Sequence, residues 1–350
     1  MDGPMLVIPI RHCGRGICFS FSGAKATKPL LIVFVSLLAT ATLARAAARP
    51  QNFEAEQIKV AQQGLNILMN GNTETAGKVF QKIQSDDPDS ALGYLMEANA
   101  LWWEIYITTG NLIDPDVFVV SSGSTSPYDA RFNKLVDTAI AKARANRNAK
   151  RDVARNNLYE GMAYGLRGRL ASMRGSNLAA ARAGKQMRSL LITAVHQDRN
   201  LRDAYAGIGL YDYFVDTLPT IVKLLRWMIG LPGGSRERGL HEIEYAAKYG
   251  ELTRGEALYY LAKDYSRTNE RQYAKSLELF GQLSSQYPGN GLWKLMVGSL
   301  KIRTGHPQEG EALYREVLNQ ERGKESAAAK SLYKAAQKAV ERRHPNEHIQ

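Results

Sequence analysis

Hydrophobic and polar positions follow a helical spacing along most of the chain, from about residue 54 to about residue 342. Apolar residues at positions i, i+3, i+4 and i+7 indicate amphipathic α-helices. Turn signals divide this stretch into six predicted helix pairs and a final helix, at about 54–88, 90–147, 150–198, 201–249, 253–287, 290–320 and 325–342. Because each pair can bury its apolar face only against its neighbours, we expect one all-α domain over residues 49–350, capped by the last helix.

Two of these pairs share a more specific spacing. Ala76 precedes Phe80 by four residues, and Pro88 follows Phe80 by eight. The same intervals recur near the other end of the chain, at Ser276, Phe280 and Pro288. A small residue lets two helices approach closely, and the proline ends the second helix before the next pair.

Glycines complete this repeat. Gly64 lies twelve residues before Ala76, and Gly298 lies twelve residues before Gly310. Two further glycines fall in the predicted turns between helices, at Gly71 and Gly305. These linked spacings resemble the tetratricopeptide repeat (TPR), which implies an α-solenoid: a right-handed superhelix of antiparallel helix pairs.

The fourth helix pair contains an insertion. Gly209 and Gly239 align as its two small packing residues, thirty residues apart where the end repeats have twelve, so about eighteen extra residues lie near 214–234. Between Ile221 and Leu231 apolar side chains cover most of a helix circumference, which favours burial against the solenoid itself. An exposed docking element stays open as the alternative. A second insert, near 110–127, has the proline, glycine and serine content of a loop.

The stretch 204–250 resembles a motif of bacterial exported tetratricopeptide proteins and of the eukaryotic inclusion-body-clearance and tetratricopeptide repeat protein 39 family. The residues that carry the resemblance are Gly209, Tyr211, Tyr213, Pro219, Lys223, Leu224, Leu225, Gly233, Gly234, Arg236, Glu237, Gly239 and Leu240. The resemblance implies an all-helical scaffold with no known catalytic residues. It also implies partner binding, which the eukaryotic members carry out at organelle surfaces.

The first 48 residues have the features of a secretory signal peptide. Lys25 and Lys28 precede an apolar run over 30–44, and small-x-small cleavage patterns follow it. We therefore expect cleavage near 46–49 and export to the periplasm or cell envelope; a membrane anchor and an organellar transit peptide are the alternatives. Both cysteines, Cys13 and Cys18, precede the cleavage site, so a disulfide framework or thiolate site is not expected in the mature chain.

Charge is unevenly distributed. The chain carries a net charge of +12, and residues 131–188 contain fourteen Lys and Arg against three acidic residues. Such a basic block attracts anionic partners, although a solvated helix face is the favoured explanation. Export argues against nucleic acid, so anionic lipid or lipopolysaccharide at a membrane surface stays open as the alternative partner of this block.

The candidate catalytic and metal-binding patterns in the sequence are each incomplete or have a simpler structural explanation. His241 and Glu242 have no second histidine at zincin spacing and are read as solvated helix residues. Acidic residues at 85–90 fall in a predicted turn, and the glycine-rich stretch 230–239 lacks the Lys-Ser/Thr ending of a phosphate loop, with Ser235 explained as a helix cap. We expect no enzyme, no cofactor and no metal site.

The expected function is a non-enzymatic scaffold of the cell envelope that binds a protein or peptide in its concave groove. The alternative is a membrane-surface adaptor that binds anionic lipid through segment 219–231 and the basic block. A third hypothesis is glycan binding by adjacent tryptophans, at least one of which should lie in the core because they point about 100° apart on a helix. The candidate partner-binding residues are Trp102, Trp103, Tyr106, Arg167, Arg169, Tyr211, Tyr213, Lys223, Arg226, Trp227 and Arg236.

Overall fold

The computed structural model describes residues 51–109, 111–116, 125–218 and 230–343, with side chains from Phe53 onward. The chain divides into two compact units, residues 1–51 and 52–350, and the helical array lies in the second. Its described residues contain helices and no strand, which confirms the all-α prediction. The thirteen helices are α1 Gln51–Met69, α2 Thr73–Asp86, α3 Leu92–Thr109, α4 Asp129–Asn148, α5 Val153–Met173, α6 Asn177–Gln197, α7 Ala204–Thr217, α8 Arg236–Tyr249, α9 Arg254–Tyr265, α10 Tyr273–Gln286, α11 Gly291–Arg303, α12 Pro307–Glu321 and α13 Ala327–Glu341.

The helices pack in the order of the chain. From α2 to α13 each helix contacts the next, and the first helices of successive pairs, α3 with α5 and α5 with α7, also touch. All six predicted pairs and the final helix are present at their expected positions. This order of contacts is consistent with an α-solenoid.

Small residues make the close contacts between paired helices. A Cβ atom placed on Gly64 would overlap the ring of Phe80. One placed on Gly298 would lie 2.9 Å from the carbonyl oxygen of Gly310, and one on Gly209 would lie 2.6 Å from that of Gly239. No side chain fits at such distances without a shift of the backbone. The predicted register of these glycines is therefore confirmed, including the alignment across the insertion.

Turns between helices also follow the expected chemistry. Gly71 and Gly305 adopt φ angles of +90° and +89°, a region that side chains rarely enter. The acidic stretch 85–90 forms the turn between α2 and α3, where the side chain of Asp87 accepts a hydrogen bond from the backbone N–H of Ser90 (3.2 Å). Ser235 caps α8 by accepting from the N–H of Arg238 (3.3 Å).

The two ends of the array meet, which the repeat pattern did not predict. The carbonyl oxygen of Met69, at the end of α1, accepts hydrogen bonds from the indole N–H of Trp293 and the amide of Asn290, both at 3.0 Å. One residue further, the side chain of Asn70 accepts from the N–H of Gly289 (2.8 Å). More than two hundred residues separate these partners, so the array curls until its first pair contacts the turn before α11.

The final helix has a second role beyond capping. The helix α13 covers α12 as expected, but it also contacts α3, in the first half of the chain. Its apolar side turns inward through alanines and two larger residues, Leu332 and Val340. The predicted cap is therefore also a bridge between the two halves of the array.

Candidate functional site

Aromatic side chains fill the region where the two ends of the array meet. The ring of Trp103 on α3 lies 5.0 Å from that of Tyr259 on α9 and 5.8 Å from that of Trp293 on α11, both edge-on. The hydroxyl of Tyr259 donates to the hydroxyl oxygen of Tyr106 (2.7 Å), which also accepts from the ammonium of Lys263 (3.1 Å). Edge-to-face rings and a satisfied hydroxyl network are typical of a specific, rigid core.

This placement decides the role of the paired tryptophans. Trp102, Trp103 and Tyr106 are 1%, 3% and 3% exposed. The expected burial of at least one tryptophan is thus confirmed for both. In this structure the three side chains form the core, and they offer no surface on which a sugar or peptide could stack.

A small cavity lies between the helices α3, α5, α6, α7 and α9. Its volume is about 30 Å³, room for one or two water molecules and far below the roughly 300 Å³ of a typical small-ligand pocket. Arg169 lies at its wall and pairs with Glu256 (2.5 Å). Of the described candidate partner-binding residues, Arg169 alone lines this cavity.

The resemblance motif around residue 212 forms a buried ionic clamp. Asp212 on α7 is fully buried between two arginines, with Arg188 Nε 2.9 Å from one carboxylate oxygen and Arg238 Nε 2.9 Å from the other. Glu242 joins this group with a side chain only 16% exposed. Burial, reinforced by the negative charge of Asp212, raises the pKa of Glu242 to about 7. The interpretation of Glu242 as a solvated helix residue was wrong. Glu242 lies one helix turn after Arg238 on α8, on the side of that helix near the buried Asp212.

Other motif residues fix the two ends of the insertion. The hydroxyl of Tyr211 donates to the carbonyl oxygen of Pro232 (3.0 Å). Asp216 accepts from the backbone N–H of Arg236 (2.8 Å), and the guanidinium of Arg236 binds Glu270 through two bonds of 2.7 and 3.0 Å. These bonds tie the end of α7 to the start of α8 and to the turn before α10, so the side chains serve a structural purpose here.

The remaining candidate partner-binding residues of the motif are either buried or outside the described residues. Tyr213 is fully buried, and its hydroxyl accepts from the amide of Asn269 (3.3 Å). Lys223, Arg226 and Trp227 lie outside the described residues, together with most of the predicted insert helix.

Most of the basic block is engaged in internal ion pairs. Nine of its fourteen cations pair with carboxylates, among them Arg167 with Asp137 and Arg174 with Asp129 (2.9 Å). The five that form no ion pair with a described residue are Lys134, Lys150, Arg151, Arg182 and Lys185. The block is therefore much less available to an external anion than its composition suggested.

A buried carboxylate lies on the first helix of each of three successive helix pairs, α3, α5 and α7. Glu97 on α3 pairs with Arg131, and Glu160 on α5 pairs with Arg144 (2.6 Å) and Arg147 (2.7 Å). Asp212 on α7 has the two arginine partners already described. Each carboxylate is at least 95% buried and meets arginines from neighbouring helices, as buried charge requires.

The first of these carboxylates forms the floor of an open cleft of about 380 Å³ between α2, α3 and α4, which we call the Glu97 cleft. Gln81 and Gln84 on α2 donate to the two oxygens of Glu97, at 2.8 and 2.6 Å, and Arg131 on α4 donates to one of them. Lys134 lies one helix turn beyond Arg131 on the same wall. The cleft volume is within the range of ligand sites.

Comparison of the sequence with models of protein families gives no match, and comparison with curated proteins gives none either. The described helices include none that is long and apolar enough to cross a membrane. Within the same part of the chain, no group of three or more His, Cys, Asp or Glu side chains is arranged to hold a metal ion.

Sequence reasoning missed the Glu97 cleft, although a signal was present. Glu97 stands in the helix sequence LGYLMEANALWWEIYITT, in which most of the remaining residues are apolar. A carboxylate in a helix that is buried on most sides must have a partner. That partner, Arg131, was counted instead as part of a basic surface.

Proposed function

We propose that the protein is an exported, non-enzymatic scaffold of TPR type that binds a protein partner in the cell envelope. The observation that supports it best is the closed helical array itself. Its interior is filled by its own aromatic side chains, which makes a rigid body, and its clefts lie between neighbouring helices. Repeat arrays of this kind commonly present extended surfaces to other proteins. In this proposal the partner binds at such a cleft rather than in the small cavity between α3, α5, α6, α7 and α9, which holds only water-sized groups.

Capture from the native host tests this proposal. The full chain with a C-terminal tag is expressed in that host, cross-linked in intact cells and purified, beside an equally tagged, unrelated exported protein. We expect at least one envelope protein to be enriched only with this chain, and the mass of the purified protein to show cleavage near residues 46–49. A chain that retains Met1, or that captures no protein beyond the control, contradicts the proposal.

A membrane-surface adaptor is a second candidate, and one observation favours it. Arg182 and Lys185 on α6 are exposed and form no ion pair with a described residue. The ammonium of Lys185 would lie 3.2 Å from a Cβ on Gly230, at the end of the insertion. Lys185 thus lies at the described end of an insertion whose sequence is strongly apolar, and cations next to an apolar sequence suit an anionic bilayer surface.

Vesicle sedimentation tests the second candidate. We expect the protein to sediment with vesicles containing anionic phosphatidylglycerol, less so at high salt, and the double change Arg182→Glu with Lys185→Glu to abolish it. The double change Lys134→Glu with Lys150→Glu, which reverses two exposed cations elsewhere, is the matched control. Equal sedimentation with neutral vesicles, or equal loss in the control, rules out this surface.

A further inference from the structure

We propose that the Glu97 cleft binds the carboxylate of an acidic segment in a partner protein, with Arg131 and Lys134 as the anion-binding residues. The inference rests on the proposed function, partner binding, and adds the place and the chemistry of recognition. Neither residue was among the candidates that the sequence suggested.

The floor of the cleft orients the binding group. Glu97 is 4% exposed and accepts from Gln81, Gln84 and Arg131, so both of its oxygens have donors. A buried carboxylate with this set of bonds holds the guanidinium of Arg131 in a fixed position. The arrangement is preorganised, which lowers the entropy that a ligand must lose on binding.

The donors that remain face solvent. The side chain of Arg131 is 57% exposed, and only one of its terminal nitrogens bonds to Glu97. A guanidinium has five N–H donors in a planar fork, so further donors are available to a ligand. Lys134 lies one helix turn along the same wall, and its ammonium forms no ion pair with a described residue. Two donor groups therefore line the same cleft.

Charge selects the kind of anion. Arg131 and Lys134 together carry two positive charges, and Glu97 cancels one of them, which leaves a single positive charge in the cleft. One net charge matches a carboxylate, whereas a phosphate monoester carries nearly two negative charges at neutral pH. The planar guanidinium also fits the planar carboxylate through parallel hydrogen bonds.

Size and lining indicate a peptide rather than a free small acid. The cleft of about 380 Å³ has the half-buried ring of Tyr94 beside its polar floor, whereas the neighbouring Leu135 already packs in the core and is only 9% exposed. An extended segment could place an acidic side chain on Arg131 and an apolar neighbour on the ring of Tyr94. A free carboxylic acid of a few atoms would leave that ring uncovered and most of the cleft empty.

A peptide titration tests this inference. The full chain is titrated into a fluorescein-labelled ten-residue peptide of alternating Glu and Leu, and into its counterpart with Gln in place of Glu, with fluorescence anisotropy as the readout. We expect the Glu peptide to bind at least about tenfold more tightly. Lys134→Glu and Arg131→Gln should each weaken its binding by about tenfold or more. Arg131→Gln removes the one ion pair that Glu97 forms with a described residue, so its binding is compared only where circular dichroism shows a folded chain; Lys134→Glu leaves every bond to Glu97 in place and tests the cleft independently.

Arg182→Glu is the matched control, because it makes the same change of charge at an exposed cation outside the cleft. Equal binding of the Glu and Gln peptides, or an equal loss with Arg182→Glu, overturns the inference. So does displacement of the peptide by inorganic phosphate at a lower concentration than acetate, which would assign a phosphate site. If the native partner is captured but the Glu peptide does not bind, this inference alone fails. If the peptide binds but no partner is captured, the proposed function fails.

Discussion

The carboxylates Glu97, Glu160 and Asp212 show what single residues contribute to this protein. Each is buried against one or two arginines of neighbouring helices, and loss of all its arginine partners would leave an unpaired buried charge at a cost of several kcal/mol. Their partners could not be identified from the sequence, because spacing along a chain does not say which residues of distant helices meet. The arginines of segment 131–188 were therefore assigned to a basic surface, whereas eight of the ten pair with carboxylates and four of these neutralise the three buried acids.

Glu242 provides a pH-dependent prediction at this scale. Its folded-state pKa of about 7 exceeds the ordinary value of 4.5, so its contribution to stability is fully present below about pH 4.5 and lost as the pH rises through about 7. We expect Glu242→Gln to raise the melting temperature at pH 8 more than at pH 5. Glu244→Gln, at an exposed position two residues later, is the control. Thermal unfolding followed by circular dichroism at both pH values measures the effect, and equal shifts at the two pH values would contradict it.

At the scale of helices, the register was predictable because its determinants are local. Small residues twelve apart, turn glycines and proline after the second helix all act within one pair, so a single sequence contains them. The predicted crossing of Gly209 and Gly239 was recognised even across the insertion. The interior of the insertion is different: its apolar residues fit both a buried and an exposed helix, and its positions 219–229 lie outside the described part of the chain.

Two glycines in helices separate packing from helix propensity. A Cβ on Gly209 would meet the backbone of α8 at 2.6 Å, so we expect Gly209→Ala to destabilise the protein by about 1–3 kcal/mol. A Cβ on Gly281, inside α10, meets nothing within 4 Å, so Gly281→Ala should stabilise by about 0.5–1 kcal/mol through backbone entropy alone. Chemical denaturation measures both, and stabilisation by both changes would show that the pairing of α7 with α8 is misplaced.

At the scale of the whole molecule, the decisive feature is the closure of the array, and the sequence could not predict it. Repeat spacing defines how each pair meets the next, but the curvature of the stack depends on small rotations that accumulate over several pairs. The contact of Trp103 with Trp293 joins residues that no local pattern links. Closure also changes the functional expectation, because the centre that would have formed a binding groove is occupied by aromatic side chains.

Cysteine pairs test closure directly. In a chain with Cys13→Ser and Cys18→Ser, the changes Asn70→Cys and Gly289→Cys place two thiols where the side chain of Asn70 now bonds the N–H of Gly289 at 2.8 Å. Because the two positions are neighbours, we expect a disulfide to form on mild oxidation. The disulfide closes a loop of more than two hundred residues, so it is seen as a change of mobility on a non-reducing gel. Asn70→Cys with Gly281→Cys is the control, since a side chain at residue 281 has no neighbour within 4 Å. An open solenoid would hold residues 70 and 289 apart, so equally slow oxidation of both pairs would show that the ends do not meet in solution.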